Sequence, residues 1–230
     1  MSVTPKPQKI IYIILFLLTL IGVAIVVRRA TGIVPVIVHG IRPSAEPSNP
    51  QLKVLKRLDA IFERHAWLTL VHIIPGLIFL LSGLLYFTAR FPRTAHWHEL
   101  TYRFFWISGI FTGITAFIMS VTMPAIGGFN QAASTILFSS LFLYFLTKSV
   151  LAKMSDRSFE LRLWSIRSYG IGLAIATIRP IIGIFFATSR LTGLSPEEFF
   201  GTAFWIGFSL HLIVTEAWIQ RHWKFTLPEP

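Results

Sequence analysis

The feature that most constrains this chain is its succession of long apolar runs. Residues 10–27 contain no Asp, Glu, Lys or Arg. At about 1.5 Å per residue, a helix of that length nearly crosses a hydrocarbon core about 30 Å thick. Five further runs at 66–87, 104–122, 132–146, 169–188 and 202–219 are separated by polar turns or turns containing Pro or Gly. The run at 132–146 is short, but it reaches full length when extended back through Gly127 and Phe129, with Asn130 and Gln131 at the interface. The expectation is an all-α, polytopic transmembrane helix bundle of six spans.

Lys6 and Lys9 ahead of the first run resemble the start of a signal peptide. The run is long for a signal core, however, is followed by Arg28 and Arg29, and lacks a small-residue cleavage site. It is read as a retained span.

Composition agrees with a lipid-facing chain. Hydrophobic residues make up 53% and charged residues 13%, against about a quarter charged in ordinary soluble domains. A net charge of +11 would suit a nucleic-acid partner, but the cations fall between apolar runs rather than along one polar face. Nucleic acid is therefore excluded as a partner, and the charge is read as topology. With no cysteine in the chain, disulfides, thiolate metal sites, iron–sulfur clusters and covalently attached haem are excluded. Any metal or haem falls to His, Met or carboxylate.

If the N-terminus is cytoplasmic, the inner segments hold Lys6, Lys9, Arg90, Arg93, Arg103, Lys148, Lys153, Arg157, Arg162, Arg167, Arg221 and Lys224. The short outer loops then carry only Arg190, as the positive-inside rule requires. The resulting plan is a tail at 1–9, a first span at 10–27, an outer loop at 28–65, a five-helix domain at 66–219 and a cytoplasmic tail at 220–230, set in a cell (inner or plasma) membrane. Within the outer loop, Asn49 and Pro50 make an N-cap and first helical position. Leu52, Leu55, Leu58, Ile61 and Phe62 follow at helical spacing, with Lys53, Lys56, Arg57 and Arg64 between them. This predicts an amphipathic helix at headgroup level. Its plain role is a surface cap; its sharper role is contact with a membrane protein partner or a second copy of the chain.

Phosphate-binding, dinucleotide-binding, nucleophile-elbow and His-Glu-x-x-His motifs are absent, as is the internal repeat of many transporters. No catalytic residue and no metal site is assigned. The candidates are instead the ionisable groups at membrane depth, which are costly to keep there. His72 and His211 lie at similar depths, roughly 9 and 13 Å below the outer ends of their spans at the usual helical rise. Two neutral imidazoles on different helices suit a b-type haem, with Arg179 near a propionate; the plainer account is a polar hydrogen-bond network. Arg179, followed by Pro180, cannot lose its proton and needs an anionic or polar partner. Glu216 is the available carboxylate at depth, although it falls nearer the inner side than Arg179. His98 and Arg103 before the third span, and Trp164 and Arg167 before the fifth, form basic interfacial collars. They either anchor helices or hold an anionic headgroup.

At these residues the chain resembles the predicted membrane proteins grouped as domain of unknown function family 2306. The resemblance runs from about Leu58 to the end of the sixth span. Its motifs are the segment from Asp59 to Phe62, His72-x-x-Pro75-Gly76, His98 with Arg103, Trp164-x-x-Arg167 followed by Ser168 and Tyr169, then Arg179 and Glu216. Two positions depart from the family pattern: Glu99 stands where Arg is common after His98, and Leu161 where His often precedes the Trp. The resemblance implies a multi-helix membrane fold and a site drawn from His72, His98, Arg103, Arg167, Arg179 and Glu216. It brings no reaction with it.

Three functions follow as expectations. The first is redox-related, with haem held by His72 and His211 near Arg179. The second is binding or transport of a small anion, a lipid headgroup or protons through His98, Arg103, Arg167 and Glu216. The third is a structural or assembly role in the lipid bilayer.

Overall fold

The computed structural model describes residues 6–40, 50–88 and 95–223. Among them the secondary structure is helical throughout: α1 (Lys6–His39), α2 (Pro50–Arg64), α3 (Ala66–Thr88), α4 (Ala95–Thr122), α5 (Gly128–Met154), α6 (Ser158–Thr192) and α7 (Pro196–Trp223). All but α2 are long and apolar enough to cross a membrane. The expected N-cap Asn49, the cations Arg42, Arg90, Arg93 and Lys224, and the termini at 1–5 and 224–230 lie outside the described residues.

The helices outrun the apolar runs that predicted them. α4 begins at Ala95 and α6 at Ser158, because their polar first turns lie where water or headgroups satisfy the backbone and need no apolar side chains. α1 continues through Arg28 and Arg29 and past Pro35 to His39, into what the sequence suggested was loop. Its extension has a packing partner: Ile33 is 1% exposed, and Arg29 reaches α2. α2 forms as expected and runs into α3 across His65 alone, with the Thr69 amide donating to the His65 carbonyl.

The chain divides into two compact units within α4, residues 1–112 and 113–230. In the first, α1 packs on α3, and Phe79 stacks on Phe105 of α4 at 4.8 Å between ring centres. Lipid-facing Ile10, Ile13, Phe16 and Leu20 on α1 are exposed, as a helix edge dissolved in hydrocarbon allows.

In the second unit α5, α6 and α7 pack mutually through small and aromatic residues. Ser149 and Ser165, both fully buried, share a hydrogen bond of 2.9 Å between α5 and α6. Lipid tails are as apolar as leucine, so close backbone approach and hydrogen bonds, rather than hydrophobic burial, hold such helices together. A Cβ on Gly127 would stand 2.5 Å from the backbone nitrogen of Gly201; only glycine lets the start of α5 meet α7. α6 ends on Gly193 in the left-handed region, φ 69°, where its amide donates to Ser189. α7 opens with the Ser195 amide donating to the Glu198 carboxylate at 2.7 Å, half of a capping box.

Candidate functional site

In the first unit, His72 sits midway between two helices. Its imidazole hydrogen-bonds the backbone of Thr112 on α4, and one turn further along α3, Gly76 keeps the Thr112 side chain in easy contact. His98 is exposed, with its ring 4.9 Å from that of Tyr86. Arg103, 66% exposed, pairs with Glu99 one turn earlier at 3.0 Å. The departure at Glu99 therefore has a local use, partly neutralising the collar cation that the sequence offered to a ligand.

Asp59 and Phe62, the ends of the first segment that carries the resemblance, bind α2 to α1. Asp59 accepts from Arg29 at 2.5 Å and from Arg28 at 3.3 Å. The Arg29 guanidinium lies 4.0 Å from the centre of the Phe62 ring and is 8% exposed. Arg28 and Arg29 had been read as topology alone; the available signal was an acidic residue and an aromatic one turn apart on the apolar side of α2.

In the second unit the charges meet between helices. Arg167 on α6 donates through Nε and Nη2 to the two carboxylate oxygens of Glu216 on α7, at 2.5 and 2.9 Å. The pair is 18% and 32% exposed. Such a fork-on-carboxylate arrangement fixes orientation as well as charge. The carboxylate at depth thus belongs to Arg167. Arg179, twelve residues further along α6, is partly buried, with its Nε inside the protein.

Between these levels His211 of α7 bonds Thr177 Oγ1 of α6 through Nε2 at 2.7 Å and also meets the backbone of Gly170. Gly170 is where α6 comes closest to Thr215, and a Cβ there would overlap the threonine hydroxyl. Three ionisable groups, Arg167, Glu216 and His211, thus line one α6–α7 seam. His72 and His211 belong to different units, and each is held by partners within its own.

At the Arg167 end, Trp164 carries two cations. Arg167 Cζ is 4.6 Å and Lys148 Nζ 5.5 Å from the indole centre, and Tyr144 and Phe145 of α5 border the ring. Sequence counted Lys148 only toward topology; the overlooked signal was a lysine placed six residues before the end of an apolar helix.

Fold and site together define a multi-pass integral membrane protein with an ion-paired seam inside a three-helix unit. No family model matches the chain, and no curated protein or solved structure shows significant similarity to it.

Proposed function

We propose that the protein is a membrane binding and transport protein that takes up protons along the α6–α7 seam, the Arg167–Glu216 end being cytoplasmic by the positive-inside rule. The observation that carries this is the pair of levels itself: a carboxylate bonded to a guanidinium at one, and an imidazole bonded to a hydroxyl at the next, both between the same two helices. Ionisable groups at depth that face a partner helix rather than lipid are the usual material of proton relays. Thr177 supplies a hydroxyl able both to donate and to accept, which suits either tautomer of His211 at Nε2. Arg167 holds both Glu216 carboxylate oxygens, so uptake at Glu216 begins when that pair loosens.

Haem between His72 and His211 would ask more of the chain. A ligating histidine anchored through its other nitrogen fits His72, with its bond to the Thr112 backbone. His211, in contrast, would exchange its bond to Thr177 or its contact with Gly170 for iron. A Soret band in protein expressed with ample haem, lost on replacing either histidine, would favour haem.

The direct test is proton flux. In liposomes holding a pH-sensitive dye, under a potassium potential set by valinomycin, the protein should carry protons faster than empty vesicles, and His211→Phe should lose most of that flux. A wild-type rate equal to that of empty vesicles overturns the proposal.

A further inference from the structure

We infer that Lys148, Trp164 and Arg167 form a binding site for a phosphate group at the interfacial end of the α5–α7 unit. Two cations lie within 5.5 Å of one indole centre, and Glu216 pairs with one of them, Arg167. Glu216 takes Nε and Nη2 of Arg167. Arg167 Nη1 and the Lys148 ammonium make no hydrogen bond to any described residue, which leaves their five N–H groups open to a ligand.

The position of Lys148 is informative. It follows Phe145, Leu146 and Thr147 within α5 and is partly buried. A lysine near a helix end ordinarily extends its ammonium to water; here the ammonium lies 5.5 Å from the Trp164 ring centre. The two like charges repel, and their ring partner is neutral, so the arrangement favours an anion at its edge. Phosphate suits it best: lysine supplies a point charge, arginine supplies directed donors, and several oxygens accept at once. The Trp164 rim and the α5 aromatics Tyr144 and Phe145 provide an apolar margin, as the glycerol and first acyl carbons of a lipid require.

The phosphate has two possible sources, a phospholipid headgroup and the free ion. The site shares Arg167 with the proposed proton path but adds Lys148 and Trp164, which proton uptake does not use, so loss of binding in Lys148→Gln and loss of flux in His211→Phe separate the two proposals.

The test is native mass spectrometry of the full chain in detergent, titrated separately with phosphatidylglycerol, phosphatidylcholine and inorganic phosphate. Lys148→Gln removes one charge-assisted donor, so binding should weaken about tenfold. Lys148→Arg should restore it, and Arg221→Gln, at an exposed cation of α7, should leave it unchanged. Lys148-dependent binding of phosphatidylglycerol identifies the headgroup as ligand; Lys148-dependent binding of inorganic phosphate alone identifies the free ion. If Lys148→Gln binds both as wild type does, or if Arg221→Gln loses as much, the site does not exist.

Discussion

The two units use the same pair of residue types to different ends. In residues 1–112, Asp59 serves Arg28 and Arg29 where α1 leaves the apolar run, and Arg103 pairs with Glu99 on its own helix. In residues 113–230, Glu216 serves Arg167 between two membrane helices. A charge pair near water, such as Arg103–Glu99, competes with solvent and is worth little, whereas a pair shielded between helices, as Arg29–Asp59 and Arg167–Glu216 both are, is costly to break because the survivor stays uncompensated. The first unit thus uses charge to fasten α2 to α1; the second has charge built into the contact between its spans.

That difference can be broken in order of size. Glu216→Ala should cost about 2–3 kcal/mol, below the range for fully buried pairs because both partners retain some exposure. Reversible unfolding in mixed micelles measures it, and a loss under about 0.5 kcal/mol, typical of surface pairs, would erase the contrast between units. Asp59→Asn should cost about 1–2 kcal/mol, the penalty for leaving a buried group short of its partner. The effect should be confined to faster hydrogen exchange in α2 and the end of α1. Glu99→Gln should change stability by no more than about 0.5 kcal/mol, as exposed pairs one turn apart do; a larger loss would show that the collar at His98 and Arg103 is a built site rather than a solvated helix start.

The six spans were legible because the bilayer imposes its thickness on any helix that crosses it. Their ends were less so. Past the hydrocarbon boundary a helix needs only a partner or water, as α1 shows in continuing to His39 against α2. Among the site residues, Glu216 and His211 were recognisable as expensive at depth and Arg167 as an interfacial cation, but their partners were not. Glu216 was weighed against Arg179 alone, whereas its partner is Arg167, twelve residues earlier on α6. Which one it meets depends on the rotation of α6 and α7 about their axes and on the offset between them. Gly170, meeting Thr215 and His211, marks part of that contact.

Local chemistry by itself therefore determined an all-α multi-pass membrane protein and the residue types that are costly inside it, since hydropathy and length act segment by segment. Only the tertiary structure decided that Arg167 takes Glu216, that Thr177 takes His211, that Asp59 holds both Arg28 and Arg29, and that Lys148 shares a tryptophan with Arg167. Those pairings join residues as many as 49 positions apart; they follow from how helices pack, which no single stretch of sequence encodes.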